Sequence, residues 1–133
     1  MTLDEAYDFA YKQGYKTHDH QGVIVAFSAL IDGTCVISID RSVLCSAVEE
    51  RELLAHELGH CETGSFYNRY SHLDVRRKHE NRADRWAIKK LIPEDELKKA
   101  VGSGVVETWE LAEYFSVTEP FMIKAILYYK EIK

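Results

Sequence analysis

Apolar residues begin to recur at helical spacing almost at once: Leu3, Ala6, Tyr7 and Ala10 share one face, and Thr2 with Glu5 forms a capping-box pattern. This predicts a helix over about residues 3–13. "HDHQG" has no period and reads as loop. "VIVAFSAL" and "TCVISI" are short, β-branched apolar runs on either side of "IDG". Asp32-Gly33 is a hairpin signal, so the two runs predict a pair of antiparallel strands. Ser46 with Glu49 is a second capping-box pattern. It opens a helix through "AVEERELLAHELGHC" that ends near Gly64, with Leu53, Leu54 and Leu58 as its apolar contacts. "GSFYNRYSH" is polar, aromatic and aperiodic, hence loop. A third helix runs from Asp74 to the stop at Pro93, and "PEDELKKAV" is a short fourth one. "VETWELAEYF" and "EPFMIKAILYYKEIK" read as two more, joined by "SVT", with Thr118 capping the last and Pro120 in its first turn.

This pattern describes an α+β domain with one short antiparallel sheet and many helices. The only break resembling a boundary is Gly102-Ser103-Gly104. It divides a main domain, residues 1–101, from a helical C-terminal extension, residues 102–133, within one compact unit. The 133 residues suit a single domain, and 46% hydrophobic with 29% charged residues suits a globular core. The net charge of −5 argues against a general nucleic-acid binder, which is usually basic. Cys35, Cys45 and Cys61 form no C-x-x-C pair and are odd in number, so free, mostly buried thiols in a reducing compartment are expected. The N-terminal stretch is acidic and has no apolar run, and no segment approaches the ~20 apolar residues of a membrane span. A soluble cytoplasmic protein is the expectation.

The chemistry concentrates in "LLAHELGHC", which contains His-Glu-x-x-His. Residues four apart on a helix share a face, so His56 and His60 can offer two imidazoles to one ion. Zinc favours such nitrogen ligands in a tetrahedral shell. Glu57 points about 100° away, a poor direction for a ligand and a good one for reaching a water beside the metal. Gly59 leaves room for another chain segment to approach.

Two histidines do not complete a catalytic zinc site. A metzincin would continue with glycine and histidine where this chain has Thr63 and Phe66, which excludes that class. The next candidates lie in "KHENRADRWA". Glu80, Ala83, Asp84 and Ala87 fall on one helical face, and the two alanines permit close helix approach. Glu80 is the preferred third ligand. Asp84, one turn on, suits a carboxylate that accepts the free N–H of a ligating histidine. His79 is the competitor, although it points off the alanine face. His18 and His20 could serve a second metal, and an ordinary loop is the simpler reading. Cys61 points off the ligand face and is read as core.

The residues "AHELGH" and "ENRADRWAIKKLIP" resemble the ImmA/IrrE family of zinc metallopeptidases, with a Glu-x-x-x-Asp spacing similar to the gluzincin arrangement. The two strands, Asp40 before the active-site helix and the tail "LAEYFSVTEPFMIKAILYY" fit the same resemblance, which covers the chain from about Gly22. Glu62 and Trp86 depart from it, outside the inferred ligand shell. The resemblance implies a small zincin-like fold with one catalytic Zn2+ held by His56, His60 and Glu80. Glu57 would be the catalytic base, and Asp84 would support a ligand from behind. Tyr67, Tyr70 and His72, in the loop between the motif helices, are candidate donors to the transition state. An edge strand would bind the substrate backbone, and the resemblance points to Thr34–Asp40 for it. The implied partner is a protein substrate, a helix-turn-helix repressor of a phage or integrative element encoded nearby, in a bacterial or phage-encoded setting.

The alternative is a DNA-binding or protein-docking regulator, because "WELAEYFSVTEPFMIKAILYYK" has helix-turn-helix-like spacing. Its second helix carries Phe121, Met122, Ile123, Ile126, Leu127, Tyr128 and Tyr129, and none of the Arg, Asn or Gln that best read base edges. From Val105 onward five acids stand against three lysines. Packing or protein docking suits that composition better than direct nucleic-acid binding.

Overall fold

Helix α1 (Leu3–Lys12) starts on the predicted capping box: Thr2 accepts from the Glu5 amide, and the Glu5 side chain accepts from the Thr2 amide. A computed structural model describes residues 1–68 and 70–131, so the last two residues of the expected final helix lie outside the described residues. The helix buries Ala6 and Ala10, and the chain returns through Gly14 into strand β1 (Lys16–Asp19). This strand has its second half, His18 and Asp19, in the segment expected to be loop. Its four residues are exposed and polar, so no alternation announced it. It exists by backbone pairing, running parallel to a later strand from Lys16↔Val36 to Asp19↔Ile39.

The hairpin forms as its turn chemistry dictates. Strand β2 (Ala26–Ile31) pairs antiparallel with β3 (Thr34–Ile39), and Asp32 (φ 51°) and Gly33 (φ 79°) both take the left-handed conformation that a two-residue turn requires. The sheet order is β1-β3-β2, so the sheet is mixed and β3 is central. Cys35, Ile37 and Ile39 of β3 alternate toward the core.

Helix α2 (Ala47–Thr63) is capped by Ser46, which accepts from the Glu49 amide, and Gly64 ends it in the left-handed conformation (φ 64°). The second half of the capping box differs from the pattern, since the Glu49 carboxylate accepts from the Cys45 amide at 3.2 Å. Leu54 and Leu58 pack with Ala6, Ala10, Ile37 and Ile39 in the main core. Helix α3 (Leu73–Leu91) crosses α2 at Gly59, where an added Cβ would lie 2.5 Å from the Ala83 carbonyl oxygen. Ala83 and Ala87 are fully buried, as the alanine face requires.

One expectation is corrected here. Cys35 and Cys61 are joined by a disulfide linking β3 to α2, with their Cα atoms 5.9 Å apart, and only Cys45 is free, on the surface. The hairpin and the helix bring together two cysteines 26 residues apart, a proximity that spacing along the chain does not reveal.

The chain divides into two compact units, Met1–Ala87 and Ile88–Lys133, so the division falls within α3, ahead of Gly102, which closes α4 (Glu94–Gly102). In the second unit α5 (Thr108–Phe115) and α6 (Glu119–Glu131) pack on one another. Thr118 Oγ1 accepts from the Phe121 amide at 3.4 Å, the expected cap. Phe121, Met122, Ala125 and Tyr129 are buried, and the Tyr129 hydroxyl donates to the Ile92 carbonyl at 2.6 Å. Among the described residues no helix is long and apolar enough to cross a membrane.

Candidate active site

Two helices build the site. His56 and His60 lie one turn apart on α2, their ring centroids 4.8 Å apart and nearly perpendicular. Glu80 reaches them from α3. Its Oε2 lies 2.7 Å from His56 Nε2, and its Oε1 lies 3.2 Å from His60 Nε2. The three side chains offer ligand atoms that lie within 4.8 Å of one another, a group that could hold one metal ion. Gly59 sets this proximity. Any side chain there would push α3, and Glu80 with it, off α2.

Each imidazole has its other nitrogen occupied. His56 Nδ1 is 2.8 Å from Asp84 Oδ1, and His60 Nδ1 donates to the Ser65 carbonyl at 2.5 Å. A carbonyl only accepts, so the His60 ring donates from Nδ1 to Ser65, and Nε2 is the nitrogen that faces Glu80. Two imidazoles oriented through Nε2 plus one carboxylate is a donor set that fits zinc.

The electrostatics agree. Burial works against a charge on His56, but the hydrogen bonds to Asp84 and Glu80 outweigh it and push its pKa up to about 10. Glu80 is held well below the carboxylate range, by its hydrogen bonds to His56 and then to His60. The pocket between them therefore stabilises positive charge.

Glu57 is 6% exposed and takes no part in that cluster. Burial pushes its pKa above the ordinary value, only partly offset by the neighbouring histidines. Its Oε1 accepts from Ser28 Oγ at 2.8 Å. Glu57, His56, His60 and Glu80 all line one cleft of about 550 Å³, whose apolar walls are Ile24, Val25 and Phe27 with Leu53 and Phe66. Asp40 braces this wall, since its carboxylate accepts from the Gly22 amide at 3.2 Å while its own amide donates to the Val25 carbonyl at 2.7 Å.

Of the three candidate donors, Tyr67 lines the cleft and donates to Glu80 Oε1 at 2.6 Å. That bond, followed by burial, pushes its phenol up to about 12, so it keeps its proton. Tyr70 and His72 are exposed and do not line the cleft. His79 stacks on Tyr67, with centroids 6.2 Å apart, and lies outside the ligand cluster. His18 sits in β1. His20 bonds Ser38 Oγ and the Ile24 carbonyl, both at 2.6 Å, and so ties down the segment before β2. Glu62 accepts from Gln13 and Trp86 packs on Phe9, so the two departures from the motif pattern serve local contacts.

A second correction concerns the strand beside the cleft. Thr34–Asp40 was expected at the sheet edge, but β3 is paired on both sides. The edge strand on the cleft is β2. Sequence reasoning also passed over Ser28 and Ser65. Ser28 had a signal, as the polar interruption of the apolar run "VIVAFSALI". Ser65 acts through its carbonyl, which any residue supplies.

Compared with known proteins, residues 12–126 match the Peptidase M78 family model, the IrrE N-terminal-like domain. No curated protein and no solved structure matches the chain. The matched region holds both motif helices, the sheet and most of the second unit, and on that basis the chain belongs to the IrrE N-terminal-like peptidase family.

Proposed function

We propose that this metallopeptidase is a zinc-dependent endopeptidase in which His56, His60 and Glu80 are the metal ligands and Glu57 is the general base. The observation that carries the reading is the convergence of two Nε2 atoms and one carboxylate at a single point of a cleft, beside a buried glutamate. When bound, zinc supplies Lewis-acid polarisation of the scissile carbonyl. Glu57 takes a proton from the attacking water and delivers it to the leaving amine. Its raised pKa suits both halves of that task. Asp84 keeps His56 in the tautomer that frees Nε2. Tyr67 supplies a neutral hydroxyl to the oxygen on which negative charge develops.

The substrate enters as an extended segment along the open edge of β2, where main-chain hydrogen bonds give register. The apolar walls favour uncharged side chains near the scissile bond. Resemblance to the ImmA/IrrE peptidases supports a helix-turn-helix repressor of a phage or integrative element as the target. The test is co-expression with the regulator encoded beside the gene. A zinc-dependent cleavage product is expected, and it disappears with Glu57→Gln while the metal is retained. Cleavage that persists in Glu57→Gln would remove the general base from the reading.

A further inference from the structure

Ser28 stands out as a polar side chain on the inner face of an otherwise apolar strand. In the hairpin register Ala26, Ser28 and Leu30 stand opposite Ile39, Ile37 and Cys35, the inward-facing residues of β3. Opposite the fully buried Ile37, the local pattern calls for an apolar side chain. Ser28 is there instead, with its hydroxyl 2.8 Å from Glu57 Oε1. Glu57 is itself nearly buried, and a buried carboxylate needs donors. Oε1 is engaged, and among the described residues no hydrogen bond is made to Oε2, which leaves that oxygen to work in the cleft.

We propose that Ser28 is a positioning residue: from the strand along which the substrate docks, it fixes the rotation of the Glu57 carboxylate so that one oxygen is anchored and the other faces the attacking water. This couples two functions of one strand. The backbone of β2 would set the substrate's register, and a side chain of the same strand sets the base. A displacement of the base relative to the scissile bond is therefore resisted by the element that holds the substrate. Proton transfer is sensitive to such placement, and small misalignments cost one to two orders of magnitude in rate. The proposal rests on Glu57 being the general base, and it adds a residue that neither the metal motif nor the ligand cluster includes.

The test compares Ser28→Ala and Ser28→Thr with the wild type, on a fluorogenic peptide spanning the bond cut in the co-expressed regulator. Ser28→Ala is expected to lower kcat by roughly ten- to a hundredfold with KM and zinc content unchanged. Ser28→Thr keeps a hydroxyl on a strand-compatible side chain and is expected to restore most of the loss. A second readout needs no activity. In metal-free protein Ser28→Ala lowers the melting temperature, and the same substitution in a Glu57→Ala background lowers it less, because the partner is already gone. Wild-type kcat in Ser28→Ala would overturn the proposal, and so would a rise in KM alone, which would make Ser28 a substrate contact. An equal melting shift in both backgrounds would overturn it as well. A wild-type protein that cleaves nothing defeats the peptidase reading itself, whereas an active wild type matched by Ser28→Ala defeats only the positioning role.

Discussion

Gly59→Ala isolates the feature on which the site's geometry depends. The new Cβ would stand 2.5 Å from the Ala83 carbonyl oxygen, 2.9 Å from its Cα and 3.1 Å from its carbonyl carbon. These are backbone atoms, so no side chain can swing aside. Restoring an ordinary contact of 3.4 Å requires α2 and α3 to separate by up to 0.9 Å. Overpacking of this kind costs about 1–3 kcal/mol, and alanine regains about 1 kcal/mol of helix propensity over glycine. The net loss of stability is therefore small, about 0–2 kcal/mol. The effect on metal binding is large by comparison. Glu80 and Asp84 flank Ala83 on α3, while metal–ligand distances tolerate only about 0.2 Å. Gly59→Ala is thus expected to fold, to melt within a few degrees of wild type, and to lose most of its zinc. Zinc per chain after dialysis against a weak chelator, beside urea unfolding of the metal-free protein, separates the two effects. A fully loaded Gly59→Ala protein would refute the claim that close helix approach sets the ligand geometry.

Three further outcomes follow from the same geometry. Asp84→Ala removes the acceptor behind His56 and is expected to weaken zinc binding by roughly 10- to 100-fold in a chelator competition; unchanged affinity would remove Asp84 from the site. In the metal-free protein the folded pKa of His56, about 10, lies above its ordinary 6.5, so its ion pairs stabilise fully below pH 6.5 and fade as pH rises toward 10. Glu80 is depressed below its ordinary 4.5, so its contribution is present above pH 4.5 and fades as pH falls further. The urea midpoint should peak between those two values, and equal midpoints at roughly pH 6 and pH 9 would contradict the pairing. Reduction of Cys35–Cys61 releases a loop closed over 26 residues and is expected to cost about 3.5 kcal/mol on the loop-entropy model, read as a fall in urea midpoint; no change on adding a phosphine reductant would show that the bridge contributes nothing.

Local chemistry was legible in the sequence. Caps at Thr2 and Ser46, the Asp32-Gly33 turn, the Gly64 stop and the three-and-four spacing of Glu80, Ala83, Asp84 and Ala87 each depend on residues a few positions apart. His56, Glu57 and His60 belong to the same class, because a helix turns their spacing directly into a direction. The proximity of Glu80 was open to inference only because its helix carried small residues facing a glycine. Strand β1 gave no signal, since its order comes from backbone bonds to β3 rather than from its own side chains. The sheet order, the Cys35–Cys61 bridge, the carbonyl behind His60 and the hydroxyl on Glu57 were settled only by tertiary structure. Each joins groups through packing of separate elements, and one-dimensional spacing says nothing of such a distance.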